Sequence, residues 1–346
     1  RQMCIRDRVN TMSKVVKFGG SSLADAKQFR KVADIIHADP ERKYVVPSAP
    51  GKRFKEDTKV TDMLYRCYDE VAVQGKDFTE AFAPIRERYN GIISDLGLTL
   101  NLDEEFAKIG ENFKAAVGSD YAASRGEYLN GIVLANYLGF EFIDAARATF
   151  FDNKGNFDAD ITDACLGALL DKTPKAVIPG FYGAMPDGTI KTFSRGGSDF
   201  TGSVVAKAAK VDLYENWTDV SGFLVADPRI VENPEGISVI TYSELRELSY
   251  MGAGVLHEDA IFPVRSANIP INIKNTNAPQ DAGTLIVPTS HAPASEHVIT
   301  GIAGKKNFSV ISIEKDRMNS NKGFLRKLLQ LSLIHISEPT RPEPIS

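Results

Sequence analysis

Cysteine is scarce: the 346-residue chain has three, Cys4, Cys67 and Cys165, far apart in sequence. That number excludes a disulfide framework, and the wide spacing excludes a knuckle of paired thiolates around a metal. No apolar run approaches the roughly 18 residues of a membrane span, and the first eleven residues contain no apolar stretch of signal-peptide type. A cytoplasmic protein without a membrane partner is expected. Positive charge is not in excess, because 41 Lys and Arg stand against 45 Asp and Glu for a net charge of -4. No nucleic-acid partner is therefore expected. Two nucleotide signatures are also missing. There is no GxxxxGK[ST] loop and no GxGxxG after the first strand, and Met251-Gly252-Ala253-Gly254 matches only part of the latter.

What is present is an ordinary globular composition, 43% hydrophobic and 25% charged, at a length that fits about two domains. The two ends read as foreign. Gln2–Arg8 (QMCIRDR) and Leu331–Ser337 (LSLIHIS) can be encoded by DNA strings that are reverse complements of one another. Ser337–Arg341 (SEPTR) continues the same string, which resembles a transposon-derived sequencing adapter. Residues 1–11 and 331–346 are accordingly set aside as flanks, and the natural segment is expected to run from Met12 to Gln330.

Within that segment, strand-like and helix-like stretches alternate. Ser13–Phe18 is a Val-rich strand that runs into Gly19-Gly20-Ser21-Ser22, with helical periodicity over Leu23–His37. Lys43–Val46 is a second strand. Residues 61–120 are dominated by helix formers, and Tyr121–Leu138 continues as helix. Glu141–Asp144 and Ala176–Pro179 read as strands, with a helix over Ile161–Leu170 between them. A hairpin follows, turning at Pro186-Asp187-Gly188. Helix over Phe200–Lys210, strand over Val211–Trp217, helices over Tyr242–Met251 and His257–Val264, and strands over Ile271–Ile273 and Thr284–Val287 complete the pattern. This order predicts an α/β fold with a mainly parallel central sheet. The Pro-rich stretch Pro288–His297 marks a boundary: 12–290 is expected as one domain, 291–300 as linker and 301–330 as the start of a second module.

Two glycine-containing turns follow strand structure. In Lys17-Phe18-Gly19-Gly20-Ser21-Ser22, backbone amides could approach an anion closely and Lys17 could reach a phosphate. The same residues also fit a tight turn with Ser22 as helix cap and Lys17 exposed. Arg195-Gly196-Gly197-Ser198-Asp199 likewise opens a helix, with Ser198 or Asp199 as possible cap. Its guanidinium offers a planar fork for a carboxylate or phosphate. Trp217, at a strand end, is read as core rather than as a platform for a base. His257-Glu258-Asp259 is read as helix capping and packing, with no metal site, since consecutive helical residues point in different directions.

Six motifs occur in a fixed order: KFGGSS (Lys17–Ser22), SRGE (Ser124–Glu127), SRGGSD (Ser194–Asp199), WTDVSG (Trp217–Gly222), ADPR (Ala226–Arg229) and GVLH (Gly254–His257). Together they resemble the catalytic part of an aspartate kinase, over about Val15–Val287. The resemblance implies a three-layer αβα amino-acid kinase fold over 12–290, with 61–120 as a helical lobe. It also implies transfer of a phosphoryl group from ATP, with Mg2+, to the β-carboxylate of L-aspartate. KFGG and RGGSD alone would indicate only the wider superfamily. Another amino-acid kinase, acting on glutamate or acetylglutamate, and a non-catalytic nucleotide- or amino-acid-binding protein are the alternative readings.

Carried over residue by residue, the resemblance makes Lys17 and Asp199 catalytic, Asp199 organising the lysine. ATP would be bound by Lys17, Phe18, Gly19, Gly20, Ser48, Thr218, Asp219, Leu224, Arg229, Gly254 and Val255. Aspartate would be bound by Thr61, Glu127, Arg195, Gly196, Gly197 and Ser198, with Glu127 beside its ammonium. Two positions depart from the family: Gly254 stands where many members have lysine, and Pro47 where a strand-end aliphatic is usual. Lys52, Lys55 or Lys59 could supply the missing charge. Residues 301–330 resemble the start of an ACT regulatory domain, in which Met318, Asn319, Ser320, Gly323 and Phe324 match the turn that holds lysine or threonine as effector. An intact relative would be a homo-oligomer. A module of about 30 residues cannot bury its own core, so loss of regulation and a tendency to aggregate are expected of this chain.

Overall fold

The valines of Lys14–Phe18 form β1, whose side chains alternate between two faces: Val16 and Phe18 are buried in one hydrophobic cluster, Val15 in another. The computed structural model describes residues 12–194, 196–250, 256, 258–291, 299–304, 323, 324 and 326–330. β1 lies inside an eight-stranded sheet in the order β3 (Glu141–Phe142), β4 (Ala176–Val177), β2 (Arg42–Pro47), β1, β7 (Leu213–Thr218), β9 (Ile271–Asn275), β10 (Thr284–Val287) and β8 (Val239–Thr241). Every neighbouring pair is parallel except β9 and β10. The hairpin β5 (Tyr182–Ala184) and β6 (Ile190–Thr192) forms a separate two-stranded sheet.

Helices cover both faces. α1 (Ala26–His37), α2 (Val60–Tyr68), α3 (Phe78–Asp95), α4 (Asp103–Lys114) and α5 (Ser119–Leu138) pack with Val16, Phe18, Val45, Val177 and Trp217. On the other face, α6 (Ala159–Leu170), α7 (Gly197–Ala208), α8 (Tyr242–Tyr250) and α9 (Phe262–Ser266) pack with Val15, Val46, Tyr214, Ile271 and Ile286. Strands buried on both faces are what a parallel sheet under two helical layers requires. The chain forms one compact unit through Gly304 and a second from Lys305. In the second, residues 326–330 are helical.

Four expectations are corrected. α1 starts at Ala26 rather than Leu23, because the Asp25 side chain caps it by accepting from the Gln28 amide, and Gly20–Leu23 form a single 3-10 turn. Ser22 is therefore not a cap. α7 starts three residues earlier than its apolar run, at Gly197, and its cap is Gly196 at φ 62° rather than Ser198 or Asp199. Residues 258–261 form a 3-10 turn and α9 begins at Phe262, since Pro263 lacks an amide proton and is best accommodated in a first turn. The short β8 was not anticipated, because three residues carry no readable period.

Candidate active site

The candidate site lies at the C-terminal edge of the parallel strands, where open α/β sheets place their ligands. Lys17 is the fourth residue of β1 and is buried under α7. Its ammonium lies 2.7 Å from an Asp199 carboxylate oxygen in the first turn of α7. The exposed alternative for Lys17 is thereby excluded. Asn216 of β7, paired in register with Lys17, completes the group: its Nδ2 donates to the same Asp199 oxygen at 2.7 Å.

The turn after β1 is locked to the loop after β2. The Ser48 amide donates to the Phe18 carbonyl at 3.0 Å, and the Gly51 amide to the Gly20 carbonyl at 2.8 Å. A Cβ at Gly19 would lie 3.7 Å from the Lys17 ammonium, so this turn borders the lysine. One expected donor is otherwise engaged: the Gly19 amide bonds the Trp217 carbonyl at 3.0 Å and extends the sheet ladder. Phe18 is fully buried and stacks on Trp217 with ring centroids 6.0 Å apart, so only its backbone belongs to the turn. Trp217 is core, as expected, and donates its indole N–H to Glu215 at 2.8 Å.

Glu127 projects from α5 toward the β2 loop. It is 5% exposed, it lies beside the Ala49 backbone amide, and its Oε2 has no hydrogen-bond partner among the described residues. Burial pushes its carboxyl up to about 8, against the pull of the Ala49 amide, its own amide and Arg125. Thr61, in the first turn of α2, is half-buried next to Val60, and a Cβ at Gly126 would touch both Val60 and Ala49. Thr61, the Ser48–Ala49 segment and Glu127 thus share one neighbourhood. Asn130, one turn beyond Glu127, donates to the Ser48 carbonyl at 2.6 Å. Arg125 orients this stretch: its guanidinium lies 4.3 Å from the Tyr128 ring centroid and 4.5 Å from that of Tyr121.

Gly197 and Ser198 open α7 together with Asp199, so their amides belong to the helix N-terminus, which has no carbonyl partners within the helix. Ser198 abuts Gly180 so closely that a Cβ there would lie 2.8 Å away, and the Gly180 amide bonds the Pro47 carbonyl at 3.1 Å. This ties the α7 N-terminus to the β2 loop, and Pro47 is buried in β2 without breaking the strand. Arg195, Gly254, Val255, His257, Met318, Asn319 and Ser320 lie outside the described residues.

The residues expected on the nucleotide side cluster less tightly. Thr218 ends β7 and donates to the exposed Asp219 carboxylate at 3.2 Å. Leu224 is partly exposed and bridges Gly236. Arg229 projects into solvent, its guanidinium held by the Asp227 carboxylate at 2.6 Å. Gly323 has φ 86° and accepts from the Lys327 amide, so Gly323 and Phe324 stand where a short helix begins.

Sequence reasoning missed three contributors. Asn216 carried one signal, a polar residue inside a strand next to Trp217. Arg88 of α3 is buried and reaches the Gly51 carbonyl at 2.6 Å and Asp57 at 2.9 Å, pinning the loop that carries Lys52, Lys55 and Lys59. Thr276 bonds the Ser22 hydroxyl at 2.8 Å and gives its amide to the Thr218 carbonyl, joining the first turn to β7. Neither Arg88 nor Thr276 had a local signal. Among the described residues no three His, Cys, Asp or Glu side chains converge on a metal-sized site. Asp219, exposed just after β7, is a carboxylate that would suit Mg2+ brought on nucleotide phosphates, which needs only one or two protein carboxylates. No helix among the described residues is long and apolar enough to cross a membrane.

The profile of the Amino acid kinase family matches residues 12–275. Aspartokinase 3 of Bacillus subtilis is 39% identical, over 92% of this chain and 72% of that protein. The crystal structure of Clostridium acetobutylicum aspartate kinase superposes with a TM-score of 0.86 at 56% identity, covering 93% of this chain and 73% of that one. Escherichia coli aspartokinase III, solved with aspartate and ADP, gives a TM-score of 0.69 at 26% identity, covering 80% and 64%. The chain belongs to the amino acid kinase family, in its aspartokinase branch.

Proposed function

We propose that this chain transfers the γ-phosphoryl group of ATP to the β-carboxylate of L-aspartate, giving ADP and 4-phospho-L-aspartate. In the cytoplasm this would be the first step toward lysine, threonine and methionine. The observation that carries the reading is Glu127, a buried carboxyl with an oxygen that has no partner among the described residues, at the sheet edge that also holds Lys17 and Asp199. Such an oxygen is a receptor for the ammonium of an amino acid.

The proposed roles follow from the chemistry. Aspartate's β-carboxylate has an unperturbed pKa of about 3.9, so it is already a nucleophile at neutral pH and needs no general base. What remains is alignment and charge stabilisation. Glu127 holds the substrate ammonium, while Arg195 and the Gly197 and Ser198 amides hold its α-carboxylate. The β2 loop, with Ser48 and Thr61, fixes the distance between this carboxyl and the phosphate turn. Lys17 places positive charge on the phosphoryl oxygens, and Asp199 keeps the lysine aimed. Mg2+ bound with ATP, with Asp219 as the carboxylate that would hold it, would neutralise phosphate charge. Thr218, Asp219, Leu224, Arg229, Gly254 and Val255 form the nucleotide side. Lysine or threonine is the proposed effector class for the turn around Met318–Phe324, in a homo-oligomer.

The test is trapping of aspartyl hydroxamate from aspartate, ATP and hydroxylamine, with glutamate and acetylglutamate as competing acceptors. Product from aspartate alone, abolished by Lys17→Ala, is expected. A folded chain that binds ATP yet makes no hydroxamate would overturn the reading in favour of a binding protein.

A further inference from the structure

The β1–β7 register sets Lys17 directly beside Asn216, and both side chains lie on the sheet face covered by α7. Asn216 is 4% exposed. Its carboxamide faces both charged groups: Nδ2 donates to Asp199 Oδ1 at 2.7 Å, and Oδ1 accepts from the Lys17 ammonium at 3.4 Å. Lys17 reaches that same Asp199 oxygen at 2.7 Å. Turning the amide over would aim its NH2 at an ammonium and its carbonyl at a carboxylate, so the two charges select one orientation.

Asparagine is disfavoured inside strands, and burying an amide is costly unless its polar atoms are paired. Leucine, of similar size, would satisfy the packing at this position. The physical consequence of having asparagine is a divided charge. A buried ammonium bonded to one carboxylate alone is held strongly, because attraction is weakly screened away from water. A second donor on Asp199 Oδ1 satisfies part of that oxygen's demand, and the amide carbonyl offers the ammonium another partner. We propose that Asn216 is a positioning residue for phosphoryl transfer: it anchors the Asp199 carboxylate and shares its charge, so that Lys17 can turn from Asp199 to the phosphoryl oxygens of the nucleotide. This rests on the phosphotransfer reading and deepens it, because Asn216 acts through Lys17 and Asp199.

Asn216→Leu removes both bonds, and Asn216→Asp keeps the shape but gives the ammonium a second carboxylate. Each variant is compared with the unmutated full chain by thermal melting, by MgADP titration in a calorimeter, and by kcat and KM for aspartate. The expected result is a fall in kcat of about 10- to 100-fold for Asn216→Leu and a larger one for Asn216→Asp. The MgADP dissociation constant is expected to rise several-fold and KM for aspartate to stay within about twofold. A merely structural role would lower the melting temperature without that split. Folded variants with unchanged kcat and MgADP affinity would overturn the proposal, as would a raised KM with unchanged kcat. Should Asn216→Leu fail to fold, Asn216→Asp decides by the same criteria. If the unmutated chain binds MgADP but does not phosphorylate aspartate, the phosphotransfer reading falls, whereas the MgADP comparison still supports or overturns the role of Asn216.

Discussion

Gly20 and Gly51 meet backbone to backbone: the Gly51 amide donates to the Gly20 carbonyl at 2.8 Å, and a Cβ on Gly51 would lie 2.6 Å from the Gly20 carbonyl carbon. The turn after β1 and the loop after β2 are therefore fastened together. Gly51→Ala must push them apart, at an overpacking cost of about 1–3 kcal/mol. Its expected signature is a lower melting temperature together with a raised KM for both ATP and aspartate. An altered melting temperature with both KM values unchanged would separate the two loops functionally.

The role proposed for Glu127 would make aspartate binding dependent on pH. Burial raises its carboxyl to about 8 from an ordinary value near 4.5, so at pH 7 the empty site holds mainly the neutral acid. An ammonium is best bound by the carboxylate, so binding releases a proton. KM for aspartate is expected to fall as pH rises from 6.5 to 8.5 and then level off, and Glu127→Gln should raise KM and flatten the profile. Stability runs the other way. Between about 4.5 and 8 the folded chain holds this proton and the unfolded chain does not, so this group's contribution declines as pH rises through that window. Melting temperatures from pH 6 to 9 should drop less in Glu127→Gln than in the unmutated chain.

Asp57 holds the loop between β2 and α2. Its strongest partner is Arg53, and with the Arg53 amide and the buried Arg88 guanidinium it is kept well below the usual carboxylate range. That stabilisation is present above the ordinary carboxylate value and is lost as pH falls below it. Asp57→Ala leaves the buried Arg88 with only the Gly51 carbonyl among the described residues, at a cost of about 3 kcal/mol. Urea denaturation should show that loss at pH 7 and a smaller one at pH 3. Limited proteolysis should also cut the Lys52–Lys59 segment faster in the variant.

Lys17 and Asp199 should behave as a unit. Lys17→Met is expected to lower kcat by about 100-fold or more while leaving KM for aspartate near its original value, the pattern of charge stabilisation made in the transition state. Asp199→Asn should lower kcat too, and the double variant should be little worse than Lys17→Met alone. Multiplicative losses in kcat assays would show that the two side chains act separately.

The sequence by itself determined most of the elements and the family to which they belong. A Val-rich stretch before two glycines was a strand and turn because neighbouring residues dictate both. Lys17, Glu127 and Asp199 stood out because each lies in one of six ordered motifs that together resemble those of aspartate kinases. Tertiary structure alone decided which strands are neighbours. Lys17 and Asn216 are 199 residues apart and Ser22 and Thr276 are 254 apart, yet each pair is in contact, because the strand order 3-4-2-1-7-9-10-8 is not written in local periodicity. Period tells which face a side chain takes and is silent on what crosses to meet it. For the same reason the engagement of the Gly19 amide by Trp217 and the unpartnered oxygen of Glu127 emerged only in the fold. Both depend on what surrounds a group once water has been removed, and that is a property of packing rather than of any one segment.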